Sequence, residues 1–186
     1  MNFAPLENIL RRPEKPLEIG QINGWHTFEY QLNTKLPEDY KKFIQSFGTG
    51  SINEFLVILN PFSANQHVNL LTRGRSELEA FRTSKTNFPK YYPDDIFPNS
   101  GGLLPFGVTD NGEVLYWRTI AEPKDWTVTV YETRGPDHYN YQTNMTDFLS
   151  GVLSGAIICK ALPRNFVNPI PAFNPIGPFT RTDGNQ

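Results

Sequence analysis

Between Leu36 and Gly50 the apolar positions fall into a helical rhythm. Tyr40, Phe43, Ile44 and Phe47 lie at i, i+3, i+4 and i+7 and share one stripe. Pro37 suits a first helical position, and Glu38 and Asp39 set negative charge against the positive end of the helix dipole. Gly48 supplies a left-handed stop, and Gly50 keeps the following turn open. The same rhythm predicts a short helix through Leu6, Ile9 and Leu10, ended by Pro13 and Pro16. Another runs from Asn23, as cap, through Trp25, Phe28, Glu29 and Leu32. Thr34 and Lys35 then join it to the Pro37 helix as a hairpin of two helices.

Elsewhere the rhythm changes. Phe55 to Leu59 is a continuous apolar run bounded by Asn53 and Asn60-Pro61, which predicts a buried strand. A long helix follows from about Asn65 to Thr86, with Val68, Leu71, Leu78 and Phe81 inward and Gly74 weakening its middle. Prolines, glycines and Asp94-Asp95 mark a surface loop between Phe88 and Gly102. Leu103 to Thr109 and Val114 to Ile120 read as strands joined through Asp110-Asn111-Gly112-Glu113, Asn-Gly being a strong hairpin signal. Thr127 to Tyr131 is a further strand, and Asn144 or Thr146 caps a last helix through Phe148, Leu149, Val152 and Leu153. Beyond Leu162, Pro163, Pro169, Pro171, Pro175 and Pro178 force an extended path. Phe166, Val167, Ile170 and Phe173 would lay its first part on the body, and Thr180 to Gln186 reads as a frayed end.

Short links between successive strands favour antiparallel order. The fold class is therefore α+β: a single antiparallel sheet, with a mixed sheet as the variant, flanked by helices. One domain over residues 1–162 is expected, followed by a Pro-rich tail over 163–186, with no internal repeat.

Composition narrows the function classes. Nineteen acidic against seventeen basic residues leave a formal charge of −2, so neither a nucleic-acid face nor an electrostatic membrane anchor is indicated. A single cysteine, Cys159, forbids an internal disulfide and suits a reducing compartment. The start, with Arg11 and Arg12 but no apolar run, is not a secretory signal, and no stretch nears the roughly 20 apolar residues that span a bilayer. A cytoplasmic protein is expected.

Candidate chemistry is sparse. His26, His67 and His138 lack ligand spacing to one another or to Cys159, so no metal or cofactor is expected. His26 reads as a partly buried helix residue, and Cys159 as a small buried hydrophobe. Arg73-Gly74-Arg75 is too short for a phosphate loop, and no nucleophile motif is present. Asp94 and Asp95 read as a solvated turn, as half of an acid/base pair or as a contact to a basic partner, with Glu113 a further acid. Tyr116, Trp117 and Trp126 lie on or next to the strand meander. Tyr116 and Trp117 must point to opposite faces, so either one is an exposed interface anchor or both faces are covered. Tyr139, Asn140 and Tyr141 form a second candidate patch.

Two stretches stand together in order: Leu36-Pro37-x-x-Tyr40-x-x-Phe43 ending in Gly48-x-Gly50, and Leu104-Pro105-Phe106-Gly107 through Asn111-Gly112 to Leu115-Tyr116-Trp117. With Phe148-Leu149 and Gly151 in the closing helix, they resemble the SUKH superfamily, over roughly Gln21 to Gly155. That superfamily includes fungal cell-wall-assembly regulators and many bacterial immunity proteins. The resemblance implies a non-enzymatic protein that binds and neutralises a cognate polymorphic or contact-dependent toxin, in some cases a nuclease domain. Acidic Asp94, Asp95 and Glu113 would steer a basic toxin, and Tyr116, Trp117 and Trp126 would supply buried contact. A regulatory or scaffold module and a small-molecule-binding protein are the alternatives. Phe47-Gly48-Thr49-Gly50 departs from the family's Asn-Gly-Gly-like turn. The missing long extensions favour the bacterial type. Most matching residues build the fold: Leu36, Tyr40 and Phe43 pack, and Gly48, Gly107 and Gly112 set turns.

Overall fold

A computed structural model describes residues 4–21, 23–133, 135, 137–166 and 170–177. Val167, Pro169, Pro178 and the stretch from Thr180 to Gln186, named above, lie outside them. Five helices, α1 (Ala4–Ile9), α2 (Gly24–Leu32), α3 (Glu38–Phe47), α4 (Leu70–Asn87) and α5 (Met145–Leu153), accompany seven strands. The strands are β1 (Gly50–Ile52), β2 (Leu56–Ile58), β3 (Leu103–Thr109), β4 (Val114–Arg118), β5 (Thr127–Tyr131), β6 (His138–Tyr141) and β7 (Phe173–Pro175). They form one open sheet in the order β6-β5-β4-β3-β2-β1-β7, and every neighbouring pair is antiparallel. An α+β fold with a single antiparallel sheet results.

Central strand β3 is buried at all seven positions because helices cover both faces of the sheet. On one face Phe81 of α4 meets the rings of Tyr116 and Tyr131 edge-on at 5.8 and 5.0 Å. On the other, Tyr40 of α3 meets Trp117 edge-on at 4.9 Å and donates its hydroxyl to the Leu59 carbonyl at 2.6 Å. The α2–α3 hairpin is pinned by Glu29, whose carboxylate takes the Leu36 N–H at 3.0 Å and the Lys41 ammonium at 2.5 Å.

Several local details differ from the sequence expectation. Pro37 occupies the cap of α3, with φ −58° and ψ 140°, and the helix starts at Glu38. Gly48 does stop it at positive φ (71°), but with ψ −150°, a region that only glycine enters freely. Gly50 does not open a turn. It begins β1, and a Cβ there would stand 2.5 Å from the Asn174 carbonyl oxygen and from the Phe173 ring of β7. Helix α4 starts at Leu70 because the Asn69 side chain accepts the N–H groups of Leu71 and Thr72 at 2.9 and 3.1 Å. The Asn111-Gly112 turn places only Gly112 at positive φ (94°), with the Gly112 N–H bonded to Thr109 O and Thr109 N–H to Glu113 O. That is a type I turn followed by a glycine bulge. His26, expected to be partly buried, is exposed.

Part of the Pro-rich segment is built into the sheet. Phe173 pairs with Ile52 and packs against the rings of Phe43 and Phe47 at 6.0 and 5.2 Å. Phe166 is buried as well.

Candidate functional site

Asp94, although it stands in a Pro-rich loop, is held against the sheet. Its Oδ1 accepts Arg118 Nη2 at 2.8 Å, and its Oδ2 accepts the Tyr131 hydroxyl at 2.5 Å. His138 Nε2 stands 3.8 Å from Oδ2, and its ring stacks on Tyr131 at 4.7 Å. Arg118 also donates to Asn140 Oδ1 at 3.1 Å, an atom that accepts the Thr129 hydroxyl at 2.7 Å. Strand pairing makes this possible, because Tyr131 lies opposite His138 and Thr129 opposite Asn140, all on the α4 side. Asp95 remains exposed and pairs with Lys85 at 2.7 Å, while the same ammonium bonds the Asp94 carbonyl, also at 2.7 Å.

Beside this network a cleft of about 220 Å³ opens between α4 and strands β4 and β5. Tyr116 and Tyr131 form its floor, with Glu77, Ser84, Glu132 and Thr133 among its lining. Burial pushes the Tyr131 phenol up, and its bond to Asp94 adds to the shift. Burial also raises the Tyr116 phenol, assisted by the charge of Glu77. Both phenols therefore stay protonated near neutral pH and act as donors beside two carboxylates. Glu77 is paired with Arg73 at 2.5 Å and Glu132 accepts the Tyr139 hydroxyl at 3.0 Å, so both carboxylates at the cleft are already engaged.

Other expected contact residues are placed elsewhere. Glu113 is buried: its carboxylate takes the Thr109 hydroxyl, and its N–H donates to the Thr109 hydroxyl oxygen at 3.0 Å. It is a constituent of the turn, not a steering charge. Trp117 is 0% exposed, and Tyr116 and Trp126 are each 3% exposed. Helices cover both faces of the meander, the second of the two arrangements expected for these aromatics. Tyr139 and Tyr141 are half-buried, the latter against Phe148 at 4.8 Å, and only Asn140 of that trio is exposed. Arg118, Tyr131 and Thr129 were not anticipated as a unit with His138 and Asn140. Reading residues 138–141 as a strand would have placed them together through their alternation.

Among the described residues no group of three or more His, Cys, Asp or Glu could hold a metal ion, and no helix is long and apolar enough to cross a membrane. Cys159 is buried, and burial raises its thiol.

The family model SUKH_6, described as SMI1-KNR4 cell-wall, matches residues 23–149. The chain belongs to the SUKH family. Neither a curated protein nor a solved structure matches it. In this SUKH chain the matched span runs from the cap of α2 into α5 and contains β1 to β6, while α1 and β7 lie outside it. The sequence motif falls in its interior: Leu36, Pro37, Tyr40, Phe43, Gly48 and Gly50 are buried around α3, and Gly107 lies in β3 opposite Ile58.

Proposed function

We propose that this SUKH chain is an immunity protein that neutralises a cognate protein toxin by stoichiometric binding, without chemistry of its own. The observation that carries the reading is the family match across residues 23–149. The exposed Asp95 supplies contact chemistry. It suits a basic partner such as a nuclease domain, whose own substrate is polyanionic. A toxin that acts inside the cell requires the protein to meet it in the cytoplasm, with no direct role for nucleic acid or membrane.

The test is co-expression with the toxin domain encoded beside this gene. Survival only when the SUKH protein is present, with co-purification of the pair, supports immunity. Killing that continues despite folded protein overturns it for that toxin. Association measured from low to high salt examines the electrostatic part, and a flat rate removes steering by the exposed Asp95.

The printed description of the matching family favours a second reading, a regulatory module bound to an endogenous protein. A gene with no toxin beside it would point there.

A further inference from the structure

A separate cleft of about 650 Å³ lies along a different stripe of α4, between that helix, the end of α2 and the loop at Phe97-Pro98. Leu32, Leu71, Leu78 and Phe97 form its walls, and Leu104 of β3 lies at its base. All except Leu104 are only partly buried, so this chain leaves the apolar lining incompletely covered. Its size is that of a small-molecule site, for which roughly 300–1,000 Å³ is usual.

Two features indicate what it takes. Gly74 lines it from the second turn of α4, inside the helix, where glycine lowers stability relative to alanine. Packing does not require that glycine: a Cβ there would meet only Pro105 Cγ, at an ordinary 3.6 Å. A larger side chain would instead extend into the cleft. Arg75, the next residue, also lines the cleft and has neither a hydrogen bond nor an ion pair among the described residues, whereas nearby Arg73 is bound to Glu77 at 2.5 Å. The side-chain amides of Gln31 and Asn33 add neutral donors to the same lining.

We propose that this cleft binds a small amphiphile with an apolar body and one anionic group: the body lies on the leucines, and the anion is held by Arg75. A guanidinium matches a carboxylate with two parallel hydrogen bonds, which makes a carboxylate the preferred head. The site is distinct from the face proposed for the toxin and does not rest on that reading.

Calorimetric titration of the full chain with decanoate, below its micelle concentration, tests it, with decanol as the uncharged probe. Saturable one-to-one binding of decanoate is expected, at least tenfold tighter than decanol. Arg75→Glu should remove that preference, and Gly74→Met should abolish binding of both. Arg75 is exposed and has no hydrogen bond or ion pair among the described residues, so its variant remains informative should Gly74→Met fail to fold. No saturable decanoate binding to the parent chain overturns the proposal, as does binding that Arg75→Glu leaves unchanged.

Discussion

The Asp39 carboxylate, in the first turn of α3, accepts the backbone N–H of Thr146 in the first turn of α5 at 3.1 Å, across 107 residues of sequence. One acid thus serves the starts of two helices, its own and a distant one. Burial raises the Asp39 carboxyl above the usual aspartate value, against the pull of the N–H groups of Thr146 and Tyr40 and the Thr146 hydroxyl. The folded chain therefore binds this proton more tightly than the unfolded chain. Its favourable contribution is present at low pH and is lost as pH rises through the raised value. Asp39→Asn keeps an acceptor for Thr146 and removes the buried charge. Urea denaturation should show the variant more stable than the parent at pH 7, with the gap closing as the pH falls towards about 4. A variant equally weaker at both pH values would show that the charge is not the cost. Asp39→Ala should lose about 1–3 kcal/mol through the unpaired N–H.

Trp117→Ala should act on the fold and not on a surface. The indole is enclosed by Tyr40 and Phe106, each at 4.9 Å, and by Trp126 at 5.8 Å. Truncation should cost about 3–5 kcal/mol, or on the order of 10 °C in melting temperature. A variant that keeps the parent melting temperature and loses only partner affinity would return Trp117 to the surface.

Asp94→Ala should release the loop between α4 and β3. Its bonds to Arg118 and Tyr131 are the side-chain ties that fasten Asp94 to the sheet, and charge-assisted bonds of this kind contribute about 1–3 kcal/mol. Hydrogen exchange should accelerate at residues 88–102 and at β6, while α3 and α5 stay protected. Uniform acceleration would mean that the network supports the whole molecule.

Gly48→Ala should be more damaging than its size suggests. Backbone strain at its φ and ψ costs about 1–3 kcal/mol, and a Cβ would stand 2.1 Å from the Leu17 carbonyl oxygen. Chemical denaturation should show a loss of at least about 2 kcal/mol, whereas Gly101→Ala, with nothing within 4 Å of its Cβ, should pay only the conformational part.

Elements with strong local chemistry were legible in the sequence. The stripe of α3 and the run Thr127 to Tyr131 announce themselves by periodicity, and the observed β5 has those bounds. Strands β1, β6 and β7 were not legible, being three or four residues long and rich in Gly, Ser, Asn or Pro. They are strands because a neighbour pairs with them. The candidate site was legible only at Asp94, since Arg118, Tyr131 and His138 meet it through sheet register. The exposure of Tyr116 and Trp117 could not be read at all: alternation assigns them opposite faces, but which faces are covered depends on where α3 and α4 pack.

Strand β7 is the last part of the sheet to leave the ribosome, and it lies outside the span that defines the family. Until it arrives, β1 offers a bare row of amide and carbonyl groups, a template on which another copy could polymerise. A chain ending at residue 162 would carry that edge permanently while keeping the whole family match. Completed, the molecule presents β7 there instead, and Pro175 within it and Pro171 just before it have no N–H to give an incoming strand. With β7 in place, that edge of the sheet is a poorer template for an incoming strand than bare β1 would be.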